Sequence, residues 1–112
     1  MKLDKEDLIR INKGFGGLLR NDASIDFALE QQENTKLGEY KKLAYLIRAI
    51  LVDHPFSDGN KRTAITIVLT EFQEEGIKVD KYALQRTMVN LSKTGEGDLN
   101  KIERKLRRCT RK

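Results

Sequence analysis

The recurrence of Tyr40, Leu43, Leu46, Ile47, Ile50 and Leu51 constrains the fold of this chain more than any other feature. Apolar residues return every three or four positions while Lys41, Lys42 and Arg48 fall off the stripe, which is the period of a helix with one buried face. Pro55 sets the limit of that helix, because its ring disfavours helical geometry in the residue before it. The helix must therefore stop near Asp53 or His54. Such a stripe needs cover, and the remaining segments offer helices to supply it. Asp4 can cap a helix carrying Leu8, Ile9 and Ile11, stopped by Gly14-Phe15-Gly16-Gly17, since three glycines make a poor helix interior. A second short helix is expected over 22–32, with Ile25, Ala28 and Leu29 facing inward. The run Thr63 to Thr70 reads two ways. Its β-branched density would suit a buried strand, yet helical character continues through Phe72 and Glu75 to a stop at Gly76, which favours a helix buried in the middle of a bundle. Asp80 can cap a helix carrying Leu84, Met88, Val89 and Leu91, and Asp98 one carrying Leu99, Ile102 and Leu106. The expected architecture is all-α: a single compact bundle of about six helices, one domain over residues 1–112.

Composition narrows what such a bundle can do. At 112 residues the chain is long enough to bury about two-thirds of its unfolded surface without staples. No apolar run approaches the roughly 20 residues that span a bilayer, and the start Met1 to Glu6 turns acidic where a signal peptide needs an apolar stretch. A cytoplasmic protein without membrane association is expected. Cys109 is alone, so an internal disulfide is excluded. One His and one Cys cannot build a four-ligand zinc site; a metal would have to be a hard cation held by oxygen and by substrate phosphates. The net charge of +5 is concentrated in a basic tail at 101–112, which holds seven Lys/Arg against one Glu. Such a tail can touch nucleic acid or an acidic partner. Aromatic residues make up 6% of the chain and do not interleave with the basic ones, so base stacking has little support. A solvated face on the last helix is the preferred reading, and a nucleic-acid partner is not expected.

Between the two central helices lies His54-Pro55-Phe56-Ser57-Asp58-Gly59-Asn60-Lys61-Arg62, which holds the chain's only histidine and only proline. At the start of a helix the backbone N–H groups are unpaired, and around Gly59 and Asn60 they would attract an anion, aided by the helix dipole. Asn60 can add an amide donor. Lys61 and Arg62 add charge, Arg62 with a fork geometry suited to phosphate oxygens. Asp58 would repel a phosphate unless a cation lay between them, and Mg²⁺ is the natural bridge. His54 is placed to take a proton from an attacking hydroxyl. Phe56 fits none of these roles and reads as an apolar anchor pinning the loop to the core. Taken singly, His54 would be a helix-end histidine, Asp58 an N-cap, and Lys61 and Arg62 surface charges. Together they supply positioning, charge neutralisation and a base, which are the needs of phosphoryl or nucleotidyl transfer.

The motif resembles the signature of the Fic/Doc superfamily, His-Pro-Phe-x-(Asp/Glu)-Gly-Asn-Gly-Arg. His54, Pro55, Phe56, Asp58, Gly59, Asn60 and Arg62 stand in register with it. Lys61 replaces the Fic glycine, and Ile65 the second Arg three residues on. Both changes look like the Doc (death-on-curing) branch, whose motif ends in Asn-Lys-Arg-Thr-Ala, as residues 60–64 do here. Gly16-Gly17, Arg20 and Ile25-Asp26-Phe27-Ala28-Leu29 also follow the order seen in Doc-like proteins, while Asn12 stands where many relatives carry His. The resemblance implies His54 as base, Asp58 as Mg²⁺ ligand, phosphate contacts from Asn60, Lys61 and Arg62, and Gly59 shaping the anion loop. It implies ATP as co-substrate.

A glycine at position 61 would let the backbone approach the phosphates closely, whereas a lysine fills that space and favours another orientation of the nucleotide. Resemblance to Doc then implies transfer of the terminal phosphoryl group to a protein hydroxyl, in that branch a threonine of the translation factor Tu. It also implies a toxin restrained by a small antitoxin protein. The alternative is a Fic-type adenylyltransferase. A third reading, from another class, is a non-catalytic nucleotide- or nucleic-acid-binding module, for which His54→Ala would leave function intact. Residues 92–97, Ser-Lys-Thr-Gly-Glu-Gly, match the form of the Fic self-inhibitory helix. With Ile65 in place of its Arg partner and glycines on both sides, Glu96 is not expected to inhibit.

Overall fold

The computed structural model describes residues 3–111. Helices α1 (Lys5–Lys13), α2 (Asp22–Gln31), α3 (Glu39–Asp53) and α4 (Asn60–Glu74) are followed by a short strand β1 (Lys78–Val79). Helices α5 (Lys81–Thr94) and α6 (Leu99–Arg108) and a second short strand β2 (Thr110–Arg111) complete the order. The all-α expectation holds, with six helices among the described residues.

Three of the helices begin at aspartates that cap them. The Asp4 carboxylate accepts from the Asp7 N–H at 2.9 Å, and the Asp7 carboxylate accepts from the Asp4 N–H at 3.0 Å, a reciprocal capping box. Asp80 accepts from the Ala83 N–H at 3.1 Å. Asp98 accepts from the N–H groups of Asn100 and Lys101 at 2.9 and 3.2 Å. These donors, that of Lys101 foremost, hold the Asp98 carboxyl below the ordinary carboxylate range.

Helix α3 is the centre of the molecule and packs against α2, α4, α5 and α6. Its stripe is wider than the large residues alone suggested: Ala44 and Ala49 join Leu43, Leu46, Ile47, Ile50 and Leu51 in the core. The ambiguous run 63–70 is helical throughout. Helix α4 packs against α1, α3 and α5, so Ala64, Ile67, Val68 and Phe72 are all buried. That cover outweighs the small helix penalty of β-branched side chains. Thr66 and Thr70 also donate their hydroxyls to the carbonyls of Arg62 and Thr66, one turn back, at 2.9 and 2.8 Å.

Two details differ from the sequence reading. Val89, grouped with the inward residues of α5, is half exposed, because helical spacing turns Leu84, Met88 and Leu91 inward and Val89 away. The antiparallel pair β1–β2, in register Lys78↔Arg111 and Val79↔Thr110, was not foreseen. Two-residue strands carry no periodic signature. The pair ties the entrance of α5 to the exit of α6. No described helix is long and apolar enough to cross a membrane.

Candidate active site

The motif loop is built by its backbone before its side chains. Helix α3 ends at His54, which adopts the left-handed conformation (φ 49°, ψ 62°), the sole non-glycine residue with positive φ among those described. That geometry costs a non-glycine residue about 1–2 kcal/mol, and here it reverses the chain so that Pro55 and Phe56 turn into the core. Phe56 is 2% exposed. Residues 18–21 run alongside and clamp the loop. The N–H groups of Arg20 and Asn21 donate to the Pro55 carbonyl at 2.7 and 3.1 Å, and the Ser57 N–H donates to the Leu18 carbonyl at 2.8 Å. The Leu18 N–H donates to the Ser57 hydroxyl at 2.9 Å.

Asn60 closes the loop from within. Its Oδ1 accepts from the Phe56 N–H at 3.2 Å and its Nδ2 donates to the Phe56 carbonyl at 3.0 Å. The side chain thus pairs with one backbone residue as a strand neighbour would, leaving a single amide hydrogen for any ligand. Asn12, fully buried on α1, secures the other end. Its Nδ2 donates to the Asp58 carbonyl at 2.7 Å and to the Thr63 hydroxyl at 3.1 Å. One amide thereby joins α1, the loop and the first turn of α4. Gly59 is required twice over: its φ is +72°, and a Cβ there would lie 2.8 Å from Phe15 Cβ.

The result is an open cleft of about 460 Å³. His54 comes to it from the end of α3, Ser57, Asp58 and Gly59 from the loop, and Asn60, Lys61 and Arg62 from the first turn of α4. Phe15 and Ser92 complete the lining. Six of the seven residues singled out in the sequence share this cleft, and the seventh, Phe56, is buried beneath it. Phe15 and Ser92 were missed. Phe15 read only as part of a helix breaker, and Ser92 figured only as the first residue of the 92–97 match to the Fic self-inhibitory helix, the one signal that could have placed the end of α5 beside the loop.

The electrostatics are those of an anion site. Helix α4 has no side-chain cap at its start, and its first backbone bond to the preceding turn is from the Thr63 N–H to the Gly59 carbonyl at 2.9 Å. Among the described residues, the N–H groups of Asn60, Lys61 and Arg62 meet no backbone or side-chain acceptor, which makes this end a ready donor set. Lys61 and Arg62 are exposed and take part in none of the ion pairs among the described residues. One Asp58 carboxylate oxygen accepts from the Gly59 N–H at 2.8 Å, and the other takes no hydrogen bond from the described residues. No cluster of three or more His, Cys, Asp or Glu exists among the described residues. A cation beside Asp58 would therefore take one protein ligand and complete its shell with water and phosphate oxygens, the mode that suits Mg²⁺. Glu96 is engaged elsewhere, accepting from the Asp98 N–H at 3.2 Å and lying 3.9 Å from the Lys101 ammonium.

Sequence comparison agrees with this geometry. The Fic/DOC family model matches residues 2–71. The match takes in more than half of the chain, including the whole motif loop and nearly all of α4, and the protein belongs to that family. The family suggests transfer of part of a nucleotide to proteins in general. Comparison with curated proteins gives no match.

Proposed function

We propose that this protein is a Doc-like kinase toxin that moves the terminal phosphoryl group of ATP to a hydroxyl of a protein target. The observation that carries the reading is Lys61. It lines the cleft as a long cation outside the ion pairs formed among the described residues, at the position where the Fic pattern has glycine, and no arginine follows at residue 65. The lysine side chain fills space that a glycine would leave open, so the nucleotide binds in another orientation, with its terminal phosphoryl group presented to the target. The α4 N–H groups, Lys61 and Arg62 hold the phosphates, Arg62 by its fork. Mg²⁺ would be held by Asp58 with phosphate oxygens and would neutralise their charge.

In the transfer, the target hydroxyl oxygen bonds to the γ-phosphorus while the bond from that phosphorus to the β–γ bridging oxygen breaks. ADP leaves, and the hydroxyl proton passes to His54. The target is taken to be a threonine of a translation elongation factor in the cytoplasm. A small antitoxin protein is the expected restraint, since Glu96 is engaged away from the cleft.

Intact-mass spectrometry of translation factors incubated with the protein, ATP and Mg²⁺ tests this. One added phosphoryl group, absent with His54→Ala, is the expected result. An added adenylyl group would move the protein to the Fic-type reaction, and labelling that survives His54→Ala would remove the base from the account.

A further inference from the structure

We propose that the groove between α5 and α6 binds the phosphodiester backbone of a nucleic acid strand. The groove encloses about 270 Å³ and is lined by Ala83, Arg86, Thr87, Asn90, Lys105 and Arg108. It lies outside the segment matched by the family model. It shares no lining residue with the transfer cleft, so the inference stands apart from the proposed reaction.

Three cations line this small space, and none of them takes part in an ion pair among the described residues. Lys105 donates to the Asn90 side-chain oxygen at 2.8 Å. That uncharged partner holds the ammonium at the groove without neutralising it. The packing of α5 on α6 does not need these charges, because Leu84, Met88, Ile102 and Leu106 already fill the core. Like charges gathered in this way repel one another, and a bound anion would relieve that repulsion.

The arrangement indicates a repeating anion. Lys105 and Arg108 fall at i and i+3 of α6, so they share one face about one turn apart, ~5.4 Å; Lys101, paired with Glu96 at 3.9 Å, continues that face outside the groove. Arg86 joins them from α5. The sequence shows the basic run on α6 but not this second helix beside it. An acidic peptide fits less well, since protein partners gain most of their affinity from apolar anchors in pockets. Ala83 is the one apolar residue lining the groove. A phosphate backbone needs cations and no pocket. Tyr82 is 76% exposed one turn before Arg86, which offers a base a ring to stack on.

The test is fluorescence anisotropy of the full chain with labelled mixed-sequence 20-nucleotide RNA, single-stranded DNA and duplex DNA over a range of salt. Three neutralised phosphates give a slope of log affinity against log salt of roughly −2 to −3. The variant Arg86→Gln/Lys105→Gln/Arg108→Gln should lose about tenfold or more at low salt and flatten the slope by about two. Lys13→Gln/Lys36→Gln/Lys78→Gln, with the same change in net charge, should bind like the unaltered protein. RNA and DNA binding alike would make the backbone the ligand, and a preference for RNA would name the strand.

Any of these binding results would overturn the proposal: no binding by the unaltered chain at low salt, equal losses in both triple variants, displacement of the strand by polyglutamate as readily as by unlabelled strand, or loss in Lys61→Gln/Arg62→Gln with none in the groove variant. Amide shift mapping on the unaltered protein is independent of any variant's folding. It should confine the RNA-induced shifts to α5 and α6, and shifts centred elsewhere would refute the groove.

Discussion

Replacing Gly17 by alanine should disable the site, although Gly17 does not itself line the cleft. A Cβ at this position would lie 2.8 Å from Asn12 Cγ and closer still to Asn12 Oδ1 and the Asp58 carbonyl oxygen. Two escapes exist. Asn12 can swing away, giving up its bonds to the Asp58 carbonyl and the Thr63 hydroxyl at 2.7 and 3.1 Å. Each is worth about 1 kcal/mol, and the stranded buried groups add their own desolvation cost. Alternatively the loop can move, at the ~1–3 kcal/mol typical of an overpacked interior. Across the two routes the expected loss is about 1–4 kcal/mol, with Asp58 displaced by several tenths of an ångström or more. Misplacement of about 1 Å costs a transferase on the order of 10²-fold in rate. Urea unfolding followed by circular dichroism reads the first number, and initial rates of target labelling read the second. Gly97→Ala is the control: no atom lies within 4 Å of its Cβ, and its stability should match the unaltered protein within about 0.5 kcal/mol. If Gly17→Ala is as stable and as active as that control, the junction of Asn12, Gly17 and Asp58 does not hold the loop as described.

Asn60→Ala should lower affinity for ATP less than it lowers turnover, because its amide closes the loop on Phe56; calorimetric binding set against labelling rate separates the two, and a pure loss of affinity would make Asn60 a phosphate contact alone. Cys109 is 1% exposed, and burial pushes its thiol up from the ordinary value of 9.0. It should stay unreactive to a thiol reagent at pH 8 until the protein unfolds. By linkage it favours the fold below pH 9.0 and loses that contribution as pH rises through its higher native value. An urea titration at pH 8 and pH 10 should show that decline in the unaltered protein, and a smaller one in Cys109→Ala. The Asp98 carboxyl is held below its ordinary value of 3.8, so its contribution is present above that pH and fades as pH falls through the native value. Asp98→Asn should therefore melt lower than the unaltered protein at pH 6, with the gap closing as pH falls below 3.8. A gap unchanged with pH would assign the effect to something other than the carboxylate.

The helices were legible because their signals are local. Asp4, Asp80 and Asp98 each announce a start that the backbone bonds bear out, and Pro55 places the end of α3 within one residue. The run 63–70 needed its neighbours to decide between strand and helix, since β-branched residues are tolerated in a helix covered on most sides. Val89 was misplaced because adjacency to Met88 looks like burial until the helix is turned through its period. The cleft was legible in its nine-residue motif and not in its walls. Asn12 reaches Asp58 across 46 positions and Thr63 across 51, and no local pattern records such a bond. The Asn12 departure from the histidine of many relatives was visible, but its consequence was not. Arg86 likewise joins the basic face of α6 through the packing of α5 alone.

The most direct test of the transfer chemistry follows the label. The protein, a translation elongation factor and Mg²⁺ are incubated in parallel with ATP labelled at the γ-phosphate and ATP labelled at the α-phosphate. Phosphoryl transfer predicts label on the target from the γ-phosphate only, abolished by His54→Ala. Label from the α-phosphate would contradict the account, because it would mean that Lys61 does not turn the nucleotide around.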